Sequence, residues 1–84
     1  MSVIAPDLRS AIESAPHQTF RAIIRTLDPA AGYVAEVESA GLTVHHVYRL
    51  VPGVAVSGRG SALLRLADLP WVHAIEADKE MRAL

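Results

Sequence analysis

The chain is predicted to fold as an α+β sandwich, and three observations predict it. Apolar residues alternate with a period of two in "FRAIIR" and again in "LTVHHVYRL". A helical stretch between them opens on Asp28-Pro29 and closes on Gly41. A second helical stretch, ending at Pro70, separates the strand "VAVS" from a last strand, "WVHAIE". The order is β-α-β-β-α-β behind a short N-terminal helix.

Each element has its own justification. Pro6 to Ala15 reads as a helix: Pro6 or Asp7 opens it, Leu8, Ala11 and Ile12 share a stripe, and Pro16 ends it. Residues 1–17 are expected to be an accessory arm that covers a sheet edge or mediates a weak dimer. In "QTFRAIIRTL", Phe20, Ala22 and Ile24 alternate with Arg21, Ile23 and Arg25, the pattern of a strand. In "DPAAGYVAEVESAG", Asp28 is placed as N-cap and Pro29 at the first helical position, where its missing N–H costs nothing. Val34 and Val37 make the apolar face, and Gly41 supplies the left-handed residue that stops the helix. Strict alternation in the next strand puts Leu42, Val44, His46, Tyr48 and Leu50 on one face and Thr43, His45, Val47, Arg49 and Val51 on the other. Pro52-Gly53 is a turn. In "GRGSALLRLADLP", Leu63, Leu66 and Ala67 form the buried set.

Right-handed crossovers put both helices on one side of a four-stranded antiparallel sheet, the ferredoxin-like arrangement, and leave the other side bare. The domain is expected over 18–78, with 79–84 as an extended C-terminal tail. His45, Val47 and Val51 are expected on the bare face, beside Thr43 and either Ala74 or Ile75, with Tyr48 toward the helices. A bare face carrying apolar residues is suited to docking another protein.

Composition narrows the function. The 84 residues are half apolar and hold no cysteine, which excludes disulfides and thiolate metal sites. Net charge is −1 without a run of one sign, which argues against nucleic-acid binding and against a polybasic membrane anchor. No apolar stretch approaches the roughly 20 residues of a membrane span. No signal peptide is legible at the N-terminus, so a cytoplasmic protein is expected as the sequence stands. His45 and His46, being adjacent on a strand, are expected to point apart, and His17 and His73 stand far from them, so no metal site is expected. The serines lie outside any nucleophile elbow, and "SGRGS" lacks the lysine of a phosphate loop. The chain is expected to be no enzyme and to carry no cofactor.

The segment "VHHVYRLVPGVAVSGRGSALLRLADLPWVHAIEADKEMRAL" resembles the propeptide domain of subtilisin-like serine proteases and the free-standing inhibitors of propeptide type. The shared marks are a strand ending at Tyr48, then Pro52-Gly53-Val54-Ala55-Val56, a helix bearing Leu63 and Leu66 before Pro70, and Val72 followed by Ile75-Glu76-x-Asp78. The likeness covers about residues 18–84 and leaves the arm outside. It implies that the bare sheet face packs on two surface helices of a protease. Glu76 and Asp78, both expected to be exposed, would meet the N-termini of those helices, where unsatisfied N–H groups and about half a positive charge favour a carboxylate. The tail would enter the cleft as an added strand, with Leu84 in the pocket beside the catalytic serine, Met81 in the apolar pocket three residues upstream, Ala83 between them and Arg82 toward solvent.

The leading expectation is therefore a stand-alone inhibitor of a subtilisin-like protease, monomeric when free. One alternative is the excised propeptide of a secreted protease, acting first as intramolecular chaperone. Another, of a different class, is an interaction or oligomerisation module of the same fold without a protease partner.

Overall fold

Strand β1 (Thr19–Thr26) lies inside the sheet, hydrogen-bonded on one side to β3 (Gly53–Arg59) and on the other to β4 (Val72–Ala77), with β2 (Thr43–Tyr48) beyond β3. The sheet order is β2-β3-β1-β4 and every neighbouring pair is antiparallel. These coordinates come from a computed structural model that describes residues 3–78. Helix α1 (Pro6–Ser14) precedes the sheet, α2 (Val34–Ser39) joins β1 to β2, and α3 (Gly60–Leu66) joins β3 to β4. The described residues thus form an α+β fold with a four-stranded antiparallel open sheet and three helices. None of these helices is long and apolar enough to cross a membrane.

The alternation in β1 divides the molecule. Ala22 and Ile24 are fully buried and join Val54, Val56, Val72 and Ile75 in one apolar cluster. Leu8 and Ile12 of α1, Val37 of α2 and Ala62, Leu63 and Leu66 of α3 complete that cluster, so all three helices cover the same side of the sheet. Each buried aliphatic side chain there contributes on the order of 1.5–3 kcal/mol by leaving water.

The N-terminal segment covers a sheet edge, one of the two roles expected of it, and it also packs into the main core. Ile4, Leu8 and Ile12 belong to the main core. Residues 3–5 also run along the outer edge of β4: the Ile75 N–H donates to the Val3 carbonyl at 2.8 Å, and the Ala5 N–H to the Ile75 carbonyl at 2.9 Å. The arm therefore closes one edge of the sheet before its helix turns back over the core. Ile12 meets α3 so closely that a Cβ on Gly60 would lie 2.8 Å from its Cγ2.

The link from β1 to α2 also departs from expectation. Pro29 is extended (φ −51°, ψ 125°) and lies ahead of a 3₁₀ turn, Ala30–Tyr33, rather than inside the α-helix. Asp28 is consequently not an N-cap. Its Oδ2 instead accepts a 2.8 Å hydrogen bond from the Tyr33 hydroxyl, which holds that phenol's pKa above its ordinary value. Tyr33 stacks on Trp71 with centroids 4.2 Å apart, and Trp71 Nε1 donates to Glu36 Oε2 at 3.2 Å. The tighter turn brings Tyr33 to this stack, which ties the first crossover to the residue before β4. Gly41 adopts φ +98°, as its place at the end of α2 requires.

Ile12→Ala is expected to lower the unfolding free energy by about 2–4 kcal/mol in urea denaturation. Glu13→Ala, whose side chain makes only an exposed pair with Arg9, should change it by less than about 0.5 kcal/mol. Equal small effects from both would mean that α1 is peripheral after all.

Candidate docking face

The side of the sheet away from the helices is built from alternate residues of all four strands. β1 contributes Arg21, Ile23 and Arg25, which stand in register with Ser57, Ala55 and Gly53 of β3. On the other side of β1, Glu76 faces Ile23 and Ala74 faces Arg25. Ala74, not Ile75, is the β4 residue on this side, since Ile75 is fully buried in the core. Ile23 and Ala55 are only 7% and 4% exposed yet stand outside the main cluster, screened by the longer polar side chains around them.

A β-bulge in β2 reorganises its outer half. Val44 pairs with Val56, but the next pair is His46 with Ala55, so His45 is inserted without a partner of its own. Parity flips from that point. His46 and Tyr48 fall on the bare face, opposite Ala55 and Gly53. Val47, expected on that face, stands opposite Val54 and packs against the core. His45 and His46 do not point apart: the His45 ring Nε2 lies 2.7 Å from Ser57 Oγ, on the same side as His46. Val51 is exposed, in the turn between β2 and β3 rather than on the strand.

A string of side-chain contacts crosses this face. The His46 and Tyr48 rings meet edge to face with centroids 4.5 Å apart. The Arg25 guanidinium lies 5.8 Å from the centre of the Tyr48 ring, and Arg25 Nη2 is 3.6 Å from Glu76 Oε1. Arg25 belongs to β1 and Tyr48 to β2, with β3 between them, so the contact passes over Gly53. A Cβ there would lie 3.4 Å from both Cδ and Nη1 of Arg25 and 2.9 Å from the Ile24 carbonyl oxygen. Glycine is what lets the guanidinium bridge non-adjacent strands. Such a cation–π contact is worth on the order of 0.5–1 kcal/mol, and a half-exposed ion pair no more.

The two acids after β4 differ sharply. Glu76 is half-exposed and paired with Arg25. Asp78 was expected to be exposed and is only 5% so. Its N–H donates to the Arg21 carbonyl at 3.1 Å, which extends the β4–β1 ladder by one bond, and its Oδ1 has no hydrogen-bond partner among the described residues. Both acids border a recess with Asp7, Ile23 and Arg25 at the β4 margin of the bare face. Met81, Arg82, Ala83 and Leu84 lie outside the described residues.

The His45–Ser57 hydrogen bond brings a base to a hydroxyl, but no acidic side chain among the described residues orients the other ring nitrogen. No three metal-ligating side chains converge among those residues. The bulge, which decides the face of His45, His46 and Tyr48, left no trace in the alternating pattern. No family model matches the chain, and no curated protein matches its sequence.

Two substitutions test this geometry. Gly53→Ala is expected to cost about 1–3 kcal/mol and to shift the Tyr48 ring-proton resonances, because the new methyl displaces Arg25. Unmoved Tyr48 resonances would rule out the bridge. Asp78→Asn is expected to leave the unfolding free energy unchanged or raise it by up to about 1 kcal/mol, since the buried Oδ1 has no hydrogen-bond partner among the described residues. A loss of stability would mean that the carboxylate is satisfied.

Proposed function

We propose that this chain is an inhibitor of a subtilisin-like serine protease, and that its sheet is of the ferredoxin-like type. The strand order, with two crossovers that each skip one strand, supports the second statement. The observation that carries the first is the bare sheet face. Its centre, Ile23 and Ala55, is apolar, its rim is polar, and all three helices lie on the other side. That is the composition of a recognition patch. β4 ends at the margin of this face, so whatever follows Asp78 is delivered beside it.

In the complex, the sheet face rests on surface helices of the enzyme. Glu76 is the carboxylate available to their N-terminal N–H groups, where charge-assisted hydrogen bonds form. Asp78 either stays inside and shapes the exit of the tail, or turns outward to satisfy its free oxygen on the partner. Residues 79–84 run into the cleft as an added strand, with Leu84 beside the catalytic serine and Met81 in the upstream apolar pocket. Ala83 fits the narrow position between them, and Arg82 points to solvent. The docked domain raises the local concentration of the tail, so the tail remains bound in the cleft.

Inhibition of a purified subtilisin-like protease tests this. Full-length protein is expected to inhibit with a constant on the order of nanomolar, as is common for protease–inhibitor interfaces. Removal of residues 81–84 should weaken inhibition by about 100-fold or more. Glu76→Ala should weaken it by about tenfold without loss of stability. Absence of inhibition by the full-length protein would sink the proposal.

A further inference from the structure

Most acids of the described residues lie apart from the bare face. Six of the nine acidic residues, Asp7, Glu13, Asp28, Glu36, Glu38 and Asp68, sit on the helices or the loops of the helical layer. On the sheet side, acids among the described residues occur only at the β4 margin, where Glu76 and Asp78 border the recess that Asp7 also reaches. The rest of the bare face is basic. Arg21 and Arg59 are exposed on alternate positions of β1 and β3, and Arg49 is exposed at the hairpin. His45 and His46 lie among them through the bulge.

Apolar exposure gathers at the same end. Leu50 is fully exposed (101%) and Val51 58% exposed, both in the β2–β3 hairpin. With Ile23, Tyr48 and the stems of Arg25 and Arg49 they border an open groove. A groove with apolar walls and arginines at its mouth suits an apolar side chain flanked by carboxylates.

We infer that the β2–β3 half of the bare face docks an acidic protein surface, one that presents Asp or Glu around an apolar side chain seated at the hairpin. In terms of the inhibitor reading, on which this rests for the partner's identity, the protease patch beneath β2 and β3 is acidic, whereas helix N-termini meet Glu76 at the opposite margin. The partner is a protein and not a nucleic acid. Tyr48 is the one aromatic residue on the face, and Arg25 and His46 already occupy its ring. Tyr33 and Trp71 are stacked on each other in the first crossover, and Phe20 packs against the core. No Phe, Tyr or Trp ring among the described residues is left free for base stacking, on which sheet-based nucleic-acid recognition chiefly relies.

Amide NMR of the full chain, titrated with poly-L-glutamate and in parallel with a single-stranded DNA oligonucleotide, tests the surface itself. Poly-L-glutamate should shift the amides of Arg21, His46, Tyr48 and Ser57, and the shifts should vanish in Arg49→Glu/Arg59→Glu but persist in Arg65→Glu, on α3. Absence of those shifts, shifts confined to the helical layer, or tighter binding of the oligonucleotide at the same amides would each overturn the inference. Protease inhibition adds a second readout. Raising NaCl from 50 to 500 mM, or introducing Arg49→Glu/Arg59→Glu, should slow association about tenfold. Inhibition insensitive to both would overturn the acidic-partner inference and leave the inhibitor proposal standing. A wild-type chain that fails to inhibit would remove the protease, while the poly-L-glutamate titration would still decide the surface.

Discussion

The position of β1 at the centre of the sheet is the constraint on which the rest depends. Flanked by β3 and β4, each of its residues must commit to one face. Ala22 and Ile24 serve the helices, while Arg21, Ile23 and Arg25 form the bare side. A slip of one residue against either neighbour would turn two arginines into the apolar core, at a cost far beyond what a domain this small can absorb. The same strand sets the site. Arg25 reaches Tyr48 on one side and Glu76 on the other, and it does so only because β3 offers Gly53 beneath it.

Stability and recognition are divided between the two faces. The helical side holds nearly all the large buried aliphatic groups, together with the Tyr33–Trp71 stack. The sheet side holds interactions that are individually weak, and at its margin a buried Asp78 oxygen without a partner among the described residues. Groups left unsatisfied in an otherwise well-packed domain tend to mark the place where another molecule completes them. The N-terminal segment strengthens the first side, and without Leu8 and Ile12 the core would be markedly smaller.

Much of the architecture was legible in the sequence because it obeys simple periods. The alternation in "FRAIIR" places Ile24 and Arg25 on the faces they occupy, and Gly41 terminates α2 in the conformation its position implies. Three features were not legible, each for a physical reason. The stripe of Leu8 and Ile12 was visible, but a stripe does not say whether its cover is the main core or a separate surface. The bulge at His45 changes parity by inserting a residue, and "TVHHVY" reads the same with or without the insertion; Val47 and Tyr48 therefore exchanged faces. Asp78 looks like any solvated acid after a strand, and its burial depends on what folds around it. The placement of most acids apart from the bare face was equally hidden, since a net charge of −1 sums over opposite faces.

The pairing of residues 3–5 with β4 also bears on how copies of this protein would meet one another at high concentration. With that edge occupied, β2 is the one sheet edge among the described residues whose outer hydrogen-bonding groups no strand covers. Edge-to-edge stacking into fibrils would have to begin there. The inserted His45 breaks the regular spacing such stacking needs, so the irregularity that shapes the recognition face doubles as a guard against runaway polymerisation.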